Sequence, residues 1–180
     1  MTHTLLIFEN DTIRSIAFDE KDSWEVGRPT KDNHPDIALN SPTISRHQGR
    51  FLKQDMFFFY GDHAAKNATY RNDALLKPGL GGKIKPVMLE PGDQLIFGGS
   101  SSTGHGAHAI VTLFIDRPVI EETWRIYETE PYHEFVFSYG KESKTIKDPK
   151  GTKVVQLHEG FAIIMGNKTY MNGKIDLFCH

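Results

Sequence analysis

Short apolar runs, broken every few residues by Gly, Pro, Asn or Asp, leave this chain little option but β-structure. Thr4 to Phe8 is one such run, and Thr12 to Phe18 follows it across Asn10-Asp11, with Ile13, Ser15 and Ala17 alternating imperfectly against Arg14, Ile16 and Phe18. Together they read as an opening hairpin. Ser23 to Gly27 is a third short strand, Asp36 to Leu39 a brief one, and Gly49 to Lys53 pairs with Met56 to Tyr60 around a turn at Gln54-Asp55. The run Met56-Phe57-Phe58-Phe59-Tyr60 is too apolar for a solvated edge and reads as a core strand. Ala68 to Arg71, Lys85 to Leu89, Gln94 to Phe97 and Ala107 to Ile115 continue the pattern, and Asp116-Arg117-Pro118 closes it. No stretch carries a helical period of useful length. Twelve Phe and six Tyr beside sixteen Gly and nine Pro suit such strands and turns.

With 180 residues, the chain has room for one ordinary domain and a smaller appendage. After residue 117 the strand-like runs are Thr123 to Tyr127, Glu134 to Tyr139, Lys153 to Leu157, Phe161 to Met165 and Lys168 to Tyr170, with a polar connection over Gly140 to Gly151. Leu157 to Gly166 echoes Leu89 to Gly98, and Asn167 to Gly173 echoes Asn67 to Asp73. The echoes come in the opposite order, so residues 118–180 read as a β-rich extension or a partial second domain, not as a simple repeat of the first.

The formal charge of −2 offers no general attraction to nucleic acid or to anionic lipid. An anion recognised by this chain must be caught by a local cluster. No run approaches the roughly 18–20 apolar residues of a membrane span, and the first ten residues lack the basic start of a secretory signal. The single Cys179 excludes an intramolecular disulfide and suits a reducing compartment. The expected location is the cytoplasm, with no direct membrane insertion.

Three segments carry the candidate chemistry. Trp24-Glu25-Val26-Gly27-Arg28-Pro29 ends a strand on an arginine; Thr43-Ile44-Ser45-Arg46-His47-Gln48-Gly49-Arg50-Phe51 places Ser45 seventeen residues further on; Lys66-Asn67-Ala68-Thr69-Tyr70-Arg71-Asn72-Asp73 follows a loop. A phosphate on a peptide needs charge-assisted donors beside neutral ones. Arg28 offers a planar fork, Ser45 a hydroxyl, Arg46 and Lys66 further charge, and Asn67 an amide that can hold peptide backbone. All lie in loops or at strand ends, where a sandwich gathers its binding surface.

In order and spacing these segments resemble the forkhead-associated (FHA) domain family, over about residues 3–115. The resemblance implies an all-β sandwich of two mainly antiparallel sheets over residues 1–117, with the β-rich extension at 118–180. It implies a module that binds phosphothreonine-containing proteins or peptides, recruits them to other parts of a larger assembly, and is not an enzyme. Arg28 and Ser45 would contact the phosphate, Arg46 or Lys66 would support it, and Asn67 would grip the peptide main chain. Gly27, Gln48 and Thr69 would support the binding loops, and the loop around Lys66 to Arg71 would read the residue three places after the phosphothreonine.

The chain departs from the family pattern at three positions: Gln48 stands where a bracing His is usual, Ala65 replaces a hydroxyl residue, and Ala68 replaces the Gly after Asn67. These departures motivate an alternative, an FHA-like scaffold whose protein contacts no longer depend on phosphate.

Other chemistry finds little support. His105 and His108 are the closest histidines but have no Cys or carboxylate beside them, so no metal is expected. Gly98 to Gly106 lacks the Lys-Ser/Thr ending of a phosphate-binding P-loop and precedes a strand. Cys179 has His180 next to it and His158 distant in sequence, without the oriented base a nucleophile needs. No cofactor and no nucleic acid partner is implied.

Overall fold

The computed structural model describes residues 2–9, 12–18, 20–72, 74–76, 81, 83–99 and 108–116 and, as backbone, 126–127, 134–139, 141–147, 152–157, 160–165 and 168–178. The chain divides into two compact units, Met1–Pro118 and Val119–His180.

Among the described residues of the first unit, eleven strands form two sheets. They are β1 (Thr4–Glu9), β2 (Thr12–Ala17), β3 (Ser23–Gly27), β4 (Ile37–Ala38), β5 (Gly49–Gln54), β6 (Phe57–Asp62), β7 (Tyr70–Arg71), β8 (Ala74–Leu75), β9 (Val87–Met88), β10 (Gln94–Phe97) and β11 (Ile110–Ile115). One sheet runs β2-β1-β11-β10-β7-β8 and the other β4-β3-β5-β6-β9. The pairings are antiparallel except for β3 with β4, where Val26 stands opposite Ile37. The unit is an all-β sandwich of two mainly antiparallel sheets, as the sequence implies.

Alternation decides what enters the core. In β3 Trp24 and Val26 point inward between less buried Ser23 and Glu25, the period-2 pattern of a half-buried strand. Leu5, Ile7, Leu95, Phe97 and Phe114 from one sheet meet Trp24, Val26, Phe51, Phe58 and Tyr60 from the other. Phe18 sits at the centre, its ring centroid 4.6 Å from Trp24 in an edge-on arrangement and 5.1 Å from Phe51, both within the range in which aromatic pairs attract beyond their area alone.

The aromatic run of β6 needs a correction. Phe58 and Tyr60 are buried, but Met56 is 74% and Phe57 51% exposed. Strand pleating sends alternate side chains to opposite faces, so an apolar run need not be buried throughout. Asp55 turns the β5–β6 hairpin with φ of 56°.

The second unit carries β12 (Ile126–Tyr127), β13 (Glu134–Tyr139), β14 (Glu142–Lys147), β15 (Thr152–Leu157), β16 (Gly160–Met165) and β17 (Lys168–Phe178). They form one sheet, ordered β12-β15-β16-β17-β13-β14. Two readings change here. The polar connection over Gly140 to Gly151 contains β14, which pairs with β13 from Glu134 opposite Lys147 to Tyr139 opposite Glu142. The strand read as Lys168 to Tyr170 runs on to Phe178, pairing first with β16 and then with β13. Its polar stretch hid this from an apolar-run reading, because ladder hydrogen bonds make no demand on side-chain polarity.

Candidate functional site

Strand register brings the three candidate segments to one end of the β4-β3-β5-β6-β9 sheet. Val26 pairs with Gly49, so Gly27 and Arg28 emerge beside the segment that enters β5. Gly49 in turn pairs with Asp62, so the connection from β6 to β7 leaves from the same end. Arg28, Ser45, Arg46, Lys66 and Asn67 all line one open cleft of about 510 Å³, together with Pro42, Thr43 and His47.

Gly27 permits the close approach on which the cleft depends. A Cβ there would stand 1.9 Å from the Arg46 carbonyl oxygen and 2.8 Å from its carbon, so only glycine fits without displacing backbone. Beside it the Arg28 N–H donates to the Ser45 carbonyl at 2.9 Å. The half-buried Arg28 side chain donates from Nε to the Ile44 carbonyl at 3.1 Å. This fixes the guanidinium by one edge and leaves both Nη groups free of hydrogen bonds among the described residues.

Ser45 and the Lys66–Asn67 segment are joined directly. The Lys66 N–H donates to Ser45 Oγ at 3.2 Å, and Asn67 Nδ2 donates to the Thr43 carbonyl at 2.8 Å. With its amide nitrogen engaged, Asn67 keeps Oδ1 as an acceptor for a backbone N–H of a bound segment.

Beneath them lies Gln48, fully enclosed. Its Oε1 accepts from the Ser45 N–H at 3.0 Å, while Nε2 donates to the Asn67 carbonyl at 2.9 Å and to Thr69 Oγ1 at 3.3 Å. One neutral amide thus closes the two loops on each other. Thr69, also fully enclosed, donates to Asp62 Oδ2 at 2.8 Å and lies 3.2 Å from the Tyr60 hydroxyl. Asp62 Oδ1 accepts from the Ala65 N–H at 3.0 Å, holding the turn in which Ala64 takes a φ of 58°.

Asn33, Asp62 and Tyr60 are site-supporting residues that the sequence reading missed. Asn33 Nδ2 donates to both the Arg28 carbonyl at 3.1 Å and the Arg46 carbonyl at 2.9 Å. Nothing in Lys31-Asp32-Asn33-His34-Pro35 distinguishes this asparagine from an ordinary loop residue. Asp62 lies at the end of β6; a Gly-Asp pair reads as a turn until its neighbour strand is known.

Burial pushes the Asp62 carboxyl above its ordinary value of 3.8, against the opposing hydrogen bonds from Thr69 and Ala65. A group with a raised folded-state pKa stabilises fully below the unfolded value, and that contribution is lost as pH rises through the folded one. We therefore expect the stability of the natural chain relative to Asp62→Asn to fall as pH rises from about 4, then level off. Urea unfolding of both forms across pH 3.5–7 checks this, and a difference that grows with pH would contradict it. Asp36 responds in the opposite sense, because the Lys21 ammonium holds its carboxyl below 3.8; it is present in both forms and cancels.

The electrostatics of the cleft are one-sided. Arg28, Arg46 and Lys66 contribute three cations and the lining contains no carboxylate, in a chain whose formal charge is −2. Arg46 and Lys66 are exposed and form no ion pair among the described residues. Among those residues no group of three or more His, Cys, Asp or Glu is placed to hold a metal; His105, His158, Cys179, His180 and residues 100–106 of the Gly-rich loop lie outside them.

The sandwich gathers cations and amide groups on the loops of one end. The FHA domain family model matches residues 24–98, within the first unit. Full-length yeast Pml1p shares the fold with a TM-score of 0.52 and 17% identity, over 63% of this chain and 81% of that one. A structure from an analysis of phosphothreonine-dependent FHA domain interactions gives a TM-score of 0.48 at 18% identity, over 66% of this chain and 100% of that one. The FHA domain of FhaA, complexed with the intracellular domain of Rv3910, gives 0.46 at 17%, over 62% and 98%. No match is found among curated proteins.

Proposed function

We propose that the first unit binds a phosphothreonine-containing segment of a partner protein and so recruits that partner, in the cytoplasm, to whatever assembly the chain serves. The observation that carries this reading is the cleft with three cations, no carboxylate and a free amide oxygen. Arg28 supplies its two unengaged Nη groups to the phosphate, Ser45 its hydroxyl, and Arg46 and Lys66 the surrounding charge. Asn67 orients the main chain of the segment. These groups bind and position; none forms the acid–base pair that catalysis would need. The departures at Ala65 and Ala68 remove a hydroxyl and a glycine from the rim, while Gln48 retains a bracing role through its amide.

A degenerate phosphothreonine peptide array, read beside the same array without phosphate, tests the proposal. We expect binding that depends on phosphate and weakens about tenfold in Ser45→Ala, the effect of one hydrogen bond to a charged group. Equal signal from both arrays would instead favour a scaffold whose contacts ignore phosphate.

A further inference from the structure

A second cleft, of about 530 Å³, adjoins the first and shares Arg46 and His47 with it. Its two carboxylates are already engaged. Glu25 pairs with Arg50 and lies 3.3 Å from His63 Nε2. Asp36 pairs with Lys21 and accepts the Glu25 N–H at 2.9 Å. What remains to meet a ligand is Arg46, His34 and His47, all exposed and without an ion pair or side-chain hydrogen bond among the described residues. Proline 35 and the Asn33 side chain, fixed by its bonds to two carbonyls, complete the wall without adding charge.

We infer that this second cleft receives an aspartate or glutamate side chain flanking the phosphothreonine of the same bound segment, with Arg46 between the two anions and His34 and His47 around the carboxylate. The inference rests on the phosphothreonine reading of the first cleft. Three considerations support it. The clefts share a wall, so one extended segment can reach both. The surplus groups are all donors or cations. The fixed carboxylates are paired with Arg50 of β5 and with Lys21 of the β2–β3 connection, which offsets their repulsion of a further one. The groups facing the carboxylate are Arg46 and His47 from the β4–β5 connection, His34 and Asp36 from the β3–β4 connection, Glu25 and Arg50 from the strands, and His63 after β6.

The test uses the full chain and three degenerate phosphothreonine peptide pools: neutral flanks, glutamate fixed on the N-terminal side, and glutamate fixed on the C-terminal side. Affinity is measured by fluorescence anisotropy at pH 7. One glutamate pool is expected to bind about threefold to fivefold tighter than the neutral pool, the scale of an exposed ion pair. His34→Glu should abolish the advantage and leave neutral-pool affinity within about twofold, since His34 does not line the first cleft. Equal binding of the three pools, or an advantage that survives His34→Glu, overturns this inference alone. Failure of every phosphorylated pool to bind overturns the reading of the first cleft, and this one with it.

Discussion

Arg28→Ala is expected to weaken phosphothreonine peptide binding by about 100-fold or more while leaving the fold intact. Two charge-assisted hydrogen bonds from one guanidinium to a phosphate contribute about 3–4 kcal/mol together, and neither neighbouring cation can replace them. Arg46 and Lys66 are exposed, so water screens their charge and their side chains must be ordered on binding. Arg28 is half-buried and already fixed through Nε on the Ile44 carbonyl, so little conformational freedom remains to be lost. Arg28→Lys separates charge from geometry. It keeps one positive charge but loses both the fork and the Nε anchor, and should recover only a small part of the affinity. Isothermal titration with a phosphorylated peptide, alongside thermal unfolding of each variant, reads both effects. Affinity within about threefold of the natural chain in Arg28→Ala would remove Arg28 from the phosphate site.

Gln48→Leu should produce the largest loss of stability among substitutions in the site, about 2–4 kcal/mol, from burying donors and acceptors without partners. Leucine fills much of the same space, so the cavity contribution is small. The cost comes from the Ser45 N–H and the Asn67 carbonyl, which would lose their shared partner, and from Thr69 Oγ1, which would lose a donor. Peptide affinity should fall as well, because Ser45 and Asn67 are held at their working separation through this amide. Gln48→His restores the residue usual in the family and should fall between the two, since one imidazole offers a donor and an acceptor but in a different geometry. Urea unfolding at neutral pH checks the series. A change below about 0.5 kcal/mol in Gln48→Leu would mean that the loops are held elsewhere.

The sequence made the first sandwich readable because its signals were local. Ser23 to Gly27 alternates, Asn and Gly mark turns, and the β5–β6 hairpin announces itself at Gln54-Asp55. Arg28, Ser45, Arg46, Lys66 and Asn67 could be singled out because residue type and order along the chain carry the resemblance. The support beneath them was harder to see. Asn33 reaches the Arg46 carbonyl through the pairing of β3 with β5, and Asp62, whose own partners Ala65 and Thr69 are close in sequence, is placed on β6 by the pairing of β5 with β6; register is not written in any one segment. The exposure of Phe57 was missed for a related reason, since a strand's two faces are assigned by its neighbours. β14 is mostly polar, with Glu142, Ser143, Lys144, Thr145 and Lys147, and β17 is interrupted by Asn172-Gly173-Lys174, so an apolar-run reading passed over them. The second cleft left no mark at all, because its histidines stand at positions 34, 47 and 63, in three separate connections.

The braced loops also bear on how fast a partner arrives and leaves. On the phosphothreonine reading, with Ser45 and Asn67 already linked through Gln48, capture would need no closing movement of these loops, and encounter would be limited by diffusion and orientation. The three cations of the cleft would steer an oncoming dianion and accelerate that encounter in a salt-dependent way. Partners that differ only in the residues around the phosphothreonine would then arrive at similar rates, and selection among them would be exercised through residence time.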